Sequence, residues 1–259
     1  MSMGRIPLPS PTGVLRCFGT AVLLLLATGC RPPRNPLAEW MPSPNFNMRR
    51  PQIVVLHHTA EATFEVALAC LKTSNSGGPV SAHYLIGRDG RTAQLVSEDF
   101  RAWHAGGGTW GPYRDINSLS IGIELDNNGY EAFPEAQIKA LLILLKDITG
   151  RYHIAPNLVL GHADIDPVRK VDPNPFFPWR TLAEQGLGLW PDEQLEEPPA
   201  SFDAWRALRH IGYSTRDEVA TLRAFHIHYR GTPTGNLDAM DRRILFNLER
   251  KTEAIPPAN

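Results

Sequence analysis

The chain has 259 residues, 42% of them hydrophobic and 20% charged, with a formal net charge of -1. That is the composition of a globular protein long enough for one full domain and a small second one. The balanced charge speaks against a nucleic-acid binder, whose footprint is a basic excess, and many of the 23 prolines fall in two stretches that read as linkers.

Taken in chain order, residues 1–30 carry only Arg5 and Arg16 as charges and lead into the apolar run AVLLLLATG at 21–29. The run is shorter than the ~20 apolar residues a spanning helix needs, and it fits the apolar region of a secretory signal. Its end, LLATGC, resembles a bacterial lipobox, although Ala27 stands where a larger aliphatic is commoner. That resemblance implies that Cys30 becomes a lipid-modified N-terminus. Residues 31–50 are proline-rich and aperiodic and read as a tether. Cys17 lies in the signal, so Cys70 is the one cysteine left in the folded part and has no partner for an internal disulfide. Within TFEVALACLK it reads as a small buried hydrophobe.

The folded part begins with a strand at 53–59, apolar on both faces and so central in a sheet. A helix is expected at about 61–73, then a hairpin over SAHYLIGRDGRTAQLV with Asp89-Gly90 at its turn. Residues 101–118 form a glycine-rich loop with two tryptophans, suited to close approach to a ligand. The strand SIGIELDN at 120–127 puts Ile121, Ile123 and Leu125 on one face and Gly122, Glu124 and Asp126 on the other. A helix follows from Glu135 to Thr149, with Gly150 as its stop, then a strand at 157–162. Residues 191–200 read as a second linker. Residues 201–259 form a small module of three helices, with capping-box spacing at Thr215 and Glu218. Its apolar stripes are Val219, Leu222 and Phe225, then Met240, Ile244 and Leu248. The fold class is mixed α/β, a central sheet flanked by helices, followed by the helical module.

Chemistry concentrates in three places. LHHT at 56–59 sets two histidines on opposite faces of a strand, and alternation does not say which one serves a site. GHADIDPVRKVDP at 161–173 offers His162 at a strand end, with Asp164, Asp166 and Asp172 after it. Two histidines at strand ends and one carboxylate make the three-ligand arrangement of an open zinc site. Asp166 before Pro167 reads as turn chemistry, Asp172 lies where the chain returns after a proline-stiffened turn, and Asp164 has no assigned role. Glu124, mid-strand, is a candidate general base beside such a site, and Lys170 a candidate oxyanion partner.

The set LHHTA, SAHYLIGRDG, RAWHAG, NSLSIGIELDNNG and GHADIDPVRKVDPNPFFPW resembles the zinc-dependent N-acetylmuramoyl-L-alanine amidases of the type 2 family, which share a fold with peptidoglycan recognition proteins. The resemblance covers roughly residues 50–182. It implies His57, His162 and Asp172 as ligands of one zinc ion per chain, Glu124 as catalytic base and Lys170 as oxyanion partner. Some relatives place a catalytic tyrosine just before the histidine matched by His83; here that position is Ala82. His83, His104 and Trp103 are expected near the cleft, as structural or substrate-contacting groups. The lipobox and helical tail resemble the outer-membrane lipoprotein amidases with a C-terminal peptidoglycan-binding-like module.

The domain plan is then a signal at 1–30, a tether at 31–50, a catalytic domain at 51–190, a linker at 191–200 and the helical domain at 201–259. The implied reaction is hydrolysis of the amide between N-acetylmuramic acid and L-alanine in peptidoglycan or muropeptides. The chain is expected to act as a monomer, lipid-anchored on the periplasmic face of the outer membrane of a Gram-negative bacterium. Two rivals stand against this. A non-catalytic peptidoglycan-recognition lipoprotein would typically lack a zinc ligand. A glycosidase pairing Glu124 with Asp126 or another carboxylate would leave the histidines unexplained.

Overall fold

The computed structural model describes residue 1, residues 35–48 and residues 51–256. The expected signal, Cys30 and the first residues of the tether lie outside these. The described elements are β1 (Glu39–Trp40), β2 (Phe46–Met48), β3 (Ile53–His58), α1 (Phe64–Leu71), β4 (Ser74–Asn75), β5 (Gly78–Pro79), β6 (Tyr84–Ile86), β7 (Thr92–Gln94), β8 (Phe100–Ala102), α2 (Ile116–Leu119), β9 (Ser120–Leu125), α3 (Glu135–Tyr152), β10 (Val159–Gly161), α4 (His162–Ile165), α5 (Trp179–Glu184), α6 (Ala204–Ile211), α7 (Glu218–Tyr229) and α8 (Ala239–Glu253).

The main sheet among the described residues has six strands in the order β1-β7-β6-β9-β3-β10. Apart from the β6–β7 hairpin its pairs are parallel. Ile53, Val54, Val55 and Leu56 are completely buried, as a continuous apolar run demands when both faces of a strand are covered. The pairing register positions the chemistry. On β9, Glu124 lies opposite His57 of β3. On β10, Gly161 lies opposite Leu56, so His162 follows at the level of His57. Three neighbouring parallel strands thus deliver their carboxyl ends, and the candidate residues, to one edge of the sheet.

Several expectations are corrected. Residues 35–48 are no tether: β1 adds to the sheet beside β7, β2 pairs with β8, and the Asn35 side chain bonds Asp147 of α3 at 2.7 Å. The proline-rich composition hid short edge strands that carry no periodicity. α3 runs through Gly150 and stops only after Tyr152, at His153 with φ 54°. Among the described residues nothing lies within 4 Å of where a Gly150 Cβ would stand, and its helix penalty of about 1 kcal/mol is offset by burial of Leu141, Leu144, Leu145 and Ile148. His162 opens α4 rather than ending a strand. α7 begins at Glu218 and is capped by Asp217, whose carboxylate accepts Ala220 N–H at 2.9 Å, so Glu218 is the first helical residue rather than the third and Thr215 is not the cap. Val219 and Met240 point outward, so the two stripes consist of Leu222, Phe225, Ile244 and Leu248. Cys70 is half-buried, with Sγ 3.7 Å from Ser74 O, because its turn of α1 faces a cavity described below.

The helices after residue 203 share one continuous core with the sheet: Leu208, Phe225 and Leu245 join Trp179, Leu182 and the strand residues. The stretch 191–200 is tied to α8 by Asp192 with Lys251, Glu196 with Arg250 and Glu197 with Arg243, exposed pairs worth little each. No helix among the described residues is long and apolar enough to cross a membrane.

Candidate metal centre

At the sheet edge, His57 Nδ1, His162 Nδ1 and Asp172 Oδ2 form a near-equilateral triangle. The sides are 2.9 Å between the two nitrogens, 3.0 Å from His57 to Asp172 and 3.1 Å from His162 to Asp172. All three residues are buried. Three contacts this short cannot all be hydrogen bonds. Each imidazole nitrogen carries either one proton or one lone pair, and the carboxylate only accepts, so at least one side of the triangle lacks a proton. Lone pairs aimed at a common point are what a divalent cation needs, and two imidazoles with one carboxylate are the donor set of a zinc site with an open position. His57 is preset for this role. Burial first, then its neighbour His162, push its pKa down to about 4 against the pull of Asp172, so the ring is neutral at pH 7, as a ligand must be. Burial alone would raise the Asp172 carboxyl, but His162 and His57 outweigh it and hold it well below the usual range.

The tautomer of His57 is fixed by a chain of bonds behind it. Ser120 Oγ–H donates to Ile116 O at 2.6 Å, leaving Ser120 Oγ to accept from His104 Nε2–H at 3.1 Å. His104 Nδ1 is then an acceptor, and His57 Nε2–H donates to it at 3.0 Å. The remaining lone pair of His57 sits on Nδ1, at the triangle. The His104 backbone is itself held by Asn117 Oδ1, which accepts His104 N–H at 3.0 Å and Ala105 N–H at 2.8 Å. Gly122 leaves room for the ring: a Cβ there would lie 2.4 Å from His104 Cγ.

Of the two roles expected for His83 and His104, structural or substrate-contacting, their surroundings fit the structural one. His104 is buried and orients His57. His83 is completely buried, donates from Nε2–H to Phe100 O at 2.9 Å and accepts Gly122 N–H at Nδ1 at 3.0 Å. It joins β6 to β8 and β9 and offers no face to a substrate. Trp103 is half-buried beside them. His58 points away from the triangle and accepts Asn174 N–H at 3.0 Å.

Glu124 borders a cavity of ≈ 100 Å³ together with Thr59, Glu61 and Cys70. Its Oε2 is buried without a hydrogen-bond partner among the described residues. Burial and then the charge of Asp172 push its pKa up to about 8, against the opposing charge of Lys170. A larger cavity of ≈ 750 Å³ beside Trp190 lies among residues that hold none of these groups. Lys170 is half-buried, and among the described residues its ammonium forms no ion pair, while its backbone N–H is fixed to Asp166 O at 3.0 Å. Asp166 accepts from Arg169, in keeping with turn chemistry. Asp164, which had no assigned role, is buried and bonded to Gly161, Tyr213 and His228. Sequence reasoning missed Ser120, Asn117, Tyr213 and His228. Gly122 did carry a signal, since a glycine inside a strand marks close approach of another group.

Comparison with known proteins shows the family. A family model described as N-acetylmuramoyl-L-alanine amidase matches residues 47–175. The N-acetylmuramoyl-L-alanine amidase AmiD of Escherichia coli (strain K12) is 38% identical over 236 residues, 78% of this chain and 83% of that protein. A solved complex of AmiD with the substrate anhydro-N-acetylmuramic acid-L-Ala-D-gamma-Glu-L-Lys superposes with a TM-score of 0.70 at 36% identity, covering 79% of this chain and 90% of that one. AmpDh3 of Pseudomonas aeruginosa in complex with anhydromuramic pentapeptide gives a TM-score of 0.71 at 31% identity, covering 88% and 99%.

Proposed function

The chain belongs to the N-acetylmuramoyl-L-alanine amidase family, and from that premise we propose that it hydrolyses the amide between N-acetylmuramic acid and L-alanine in a zinc-dependent reaction. The observation that carries the proposal is the buried triangle of His57, His162 and Asp172, whose protons do not suffice for its contacts. These three residues would hold one zinc ion per chain, which when bound polarises the scissile carbonyl and lowers the pKa of water. Glu124, as carboxylate, takes the proton of the attacking water and passes it to the leaving amine as the C–N bond breaks. Lys170, half-buried and without an ion-pair partner among the described residues, holds the negative charge that develops on the carbonyl oxygen. Trp103 is proposed to line the substrate cleft. A recognition-only protein has no need of the full set, and every member is present here.

The substrate class is muropeptides. The solved relatives hold anhydromuramyl peptides, and we extend that class to this chain, acting as a monomer. The test is release of stem peptide from purified murein and from anhydromuropeptides, with and without a chelator. Release that stops on chelation and returns with zinc is expected; no release from either substrate by zinc-loaded protein overturns the proposal. We further propose that Cys30 carries lipid and keeps the domain at the periplasmic face of the outer membrane, on the support of the LLATGC stretch. Cys30→Ser is then expected to shift the protein from the membrane fraction to the soluble one, and unchanged fractionation would refute it.

A further inference from the structure

Asp164 is the point where the C-terminal helices grip the metal-bearing edge of the sheet. It sits in the middle of α4, two residues after His162, and is 1% exposed. Its Oδ1 accepts the Tyr213 hydroxyl at 2.6 Å, and its Oδ2 accepts His228 Nδ1–H at 2.8 Å and Gly161 N–H at 2.7 Å. Tyr213 follows α6, and His228 lies on α7. The His228 ring is itself clamped, stacked 3.8 Å from Trp179 and 4.2 Å from Tyr229. Tyr213 is held edge-on by Trp110 at 4.8 Å, and Gly212 allows that approach, because a Cβ there would lie 2.3 Å from the indole. A further tie runs from Arg223 of α7 to Pro167 O, at 2.6 Å.

Three consecutive residues of α4 therefore do three things. His162 supplies a donor nitrogen. Ala163 N–H donates to Asp172 O at 2.8 Å, fixing the backbone of the second donor on this loop. Asp164 is fastened to the C-terminal helices. A four-residue helix has too few internal bonds to hold its own pose, so whatever holds Asp164 sets where His162 and Asp172 point. We propose that Tyr213 and His228 are positioning residues of the amidase site, acting through Asp164 on His162 and Asp172, so that the C-terminal helices are a working part of the metal centre. This rests on the zinc amidase reading above.

The test is the full chain with Tyr213→Phe and His228→Gln, singly and together, beside Ile244→Val as a mild core change in α8 distant in sequence from this joint. Zinc affinity is measured by competition with a chelator, well below the melting temperature, and kcat and KM are measured separately on zinc-loaded protein. Loss of groups that orient metal ligands typically costs about 10–100-fold in metal affinity or activity. The double variant is expected to bind zinc at least about tenfold more weakly and to lose kcat with little change in KM, while Ile244→Val keeps wild-type values. Wild-type zinc affinity and kcat in variants that merely melt earlier would overturn the proposal. If the double variant does not fold, Tyr213→Phe, which removes one oxygen, carries the comparison alone. Failure of the underlying zinc reading shows instead in the wild-type arm, as absence of zinc binding there.

Discussion

Gly122→Ala is expected to disable the centre without touching a donor. An added Cβ would lie 2.4, 2.5 and 2.6 Å from Cγ, Cδ2 and Nδ1 of His104. Carbon atoms in contact sit about 3.5–4.0 Å apart, so the ring must withdraw by about 1 Å or more. The backbone of residue 122 cannot yield instead, because its N–H is held by His83 Nδ1 and its carbonyl by His83 N–H, both at 3.0 Å. His104 bonds His57 at 3.0 Å and Ser120 at 3.1 Å, and a shift of about 1 Å carries both beyond hydrogen-bond reach. His57 then loses the acceptor that keeps its Nδ1 lone pair on the metal side. Zinc affinity should fall about 10–100-fold, with about 1–3 kcal/mol of stability lost to overpacking. Chelator competition and thermal melts measure the two separately. The cause is isolated in a His104→Ala background, where the ring is gone: there Gly122→Ala should add little further loss. Equal zinc affinity in Gly122→Ala and wild type refutes the reasoning, as does full additivity of the two substitutions.

Glu124→Gln should abolish most activity, about 10²–10⁴-fold for a general base, yet stabilise the metal-free protein at neutral pH. The carboxyl pKa rises from 4.5 in the unfolded chain to about 8 in the fold through burial and Asp172. The group therefore favours folding below pH 4.5, and that advantage is lost as pH rises toward 8. Because the side chain is only half-buried, solvent screening limits the effect to about 1–2 kcal/mol. Melts of both proteins from pH 4 to 9 with chelator present check it, and a stability gap that does not grow with pH contradicts it. Asp172→Ala should lose zinc while His58→Ala retains it, since His58 faces Asn174; metal analysis of the two purified variants decides, and zinc retained by Asp172→Ala would exclude it as a ligand.

Much of the site was legible because its donors announce themselves by type. His57 lies near the end of one apolar strand, His162 directly follows another, and Asp172 follows a turn in the same loop. What spacing alone did not say was which of two adjacent histidines, or which of three aspartates, belongs to the triangle. Resemblance to a family narrowed that choice, and the parallel register of β3, β9 and β10 gives it a physical basis. His83 and His104 show the opposite case. The family resemblance places both near the cleft, as structural or substrate-contacting groups. Both turn out to be buried, with each ring nitrogen engaged by protein atoms.

Periodicity and residue chemistry, which are local, determined the class of fold, the order of its main strands and helices, and the pool of candidate donors. Edge strands of two or three residues such as β1 and β2 carry no period and became visible only through their partners. The partners that orient the donors were decided by tertiary structure alone. Ser120 reaches His57 through His104, and Tyr213 and His228 meet Asp164 across 49 and 64 residues of chain. Such bonds depend on where whole elements pack, which no local pattern encodes. Asp164 thus looked like one more polar residue in a loop, and the fold makes it the joint between the helices and the metal site.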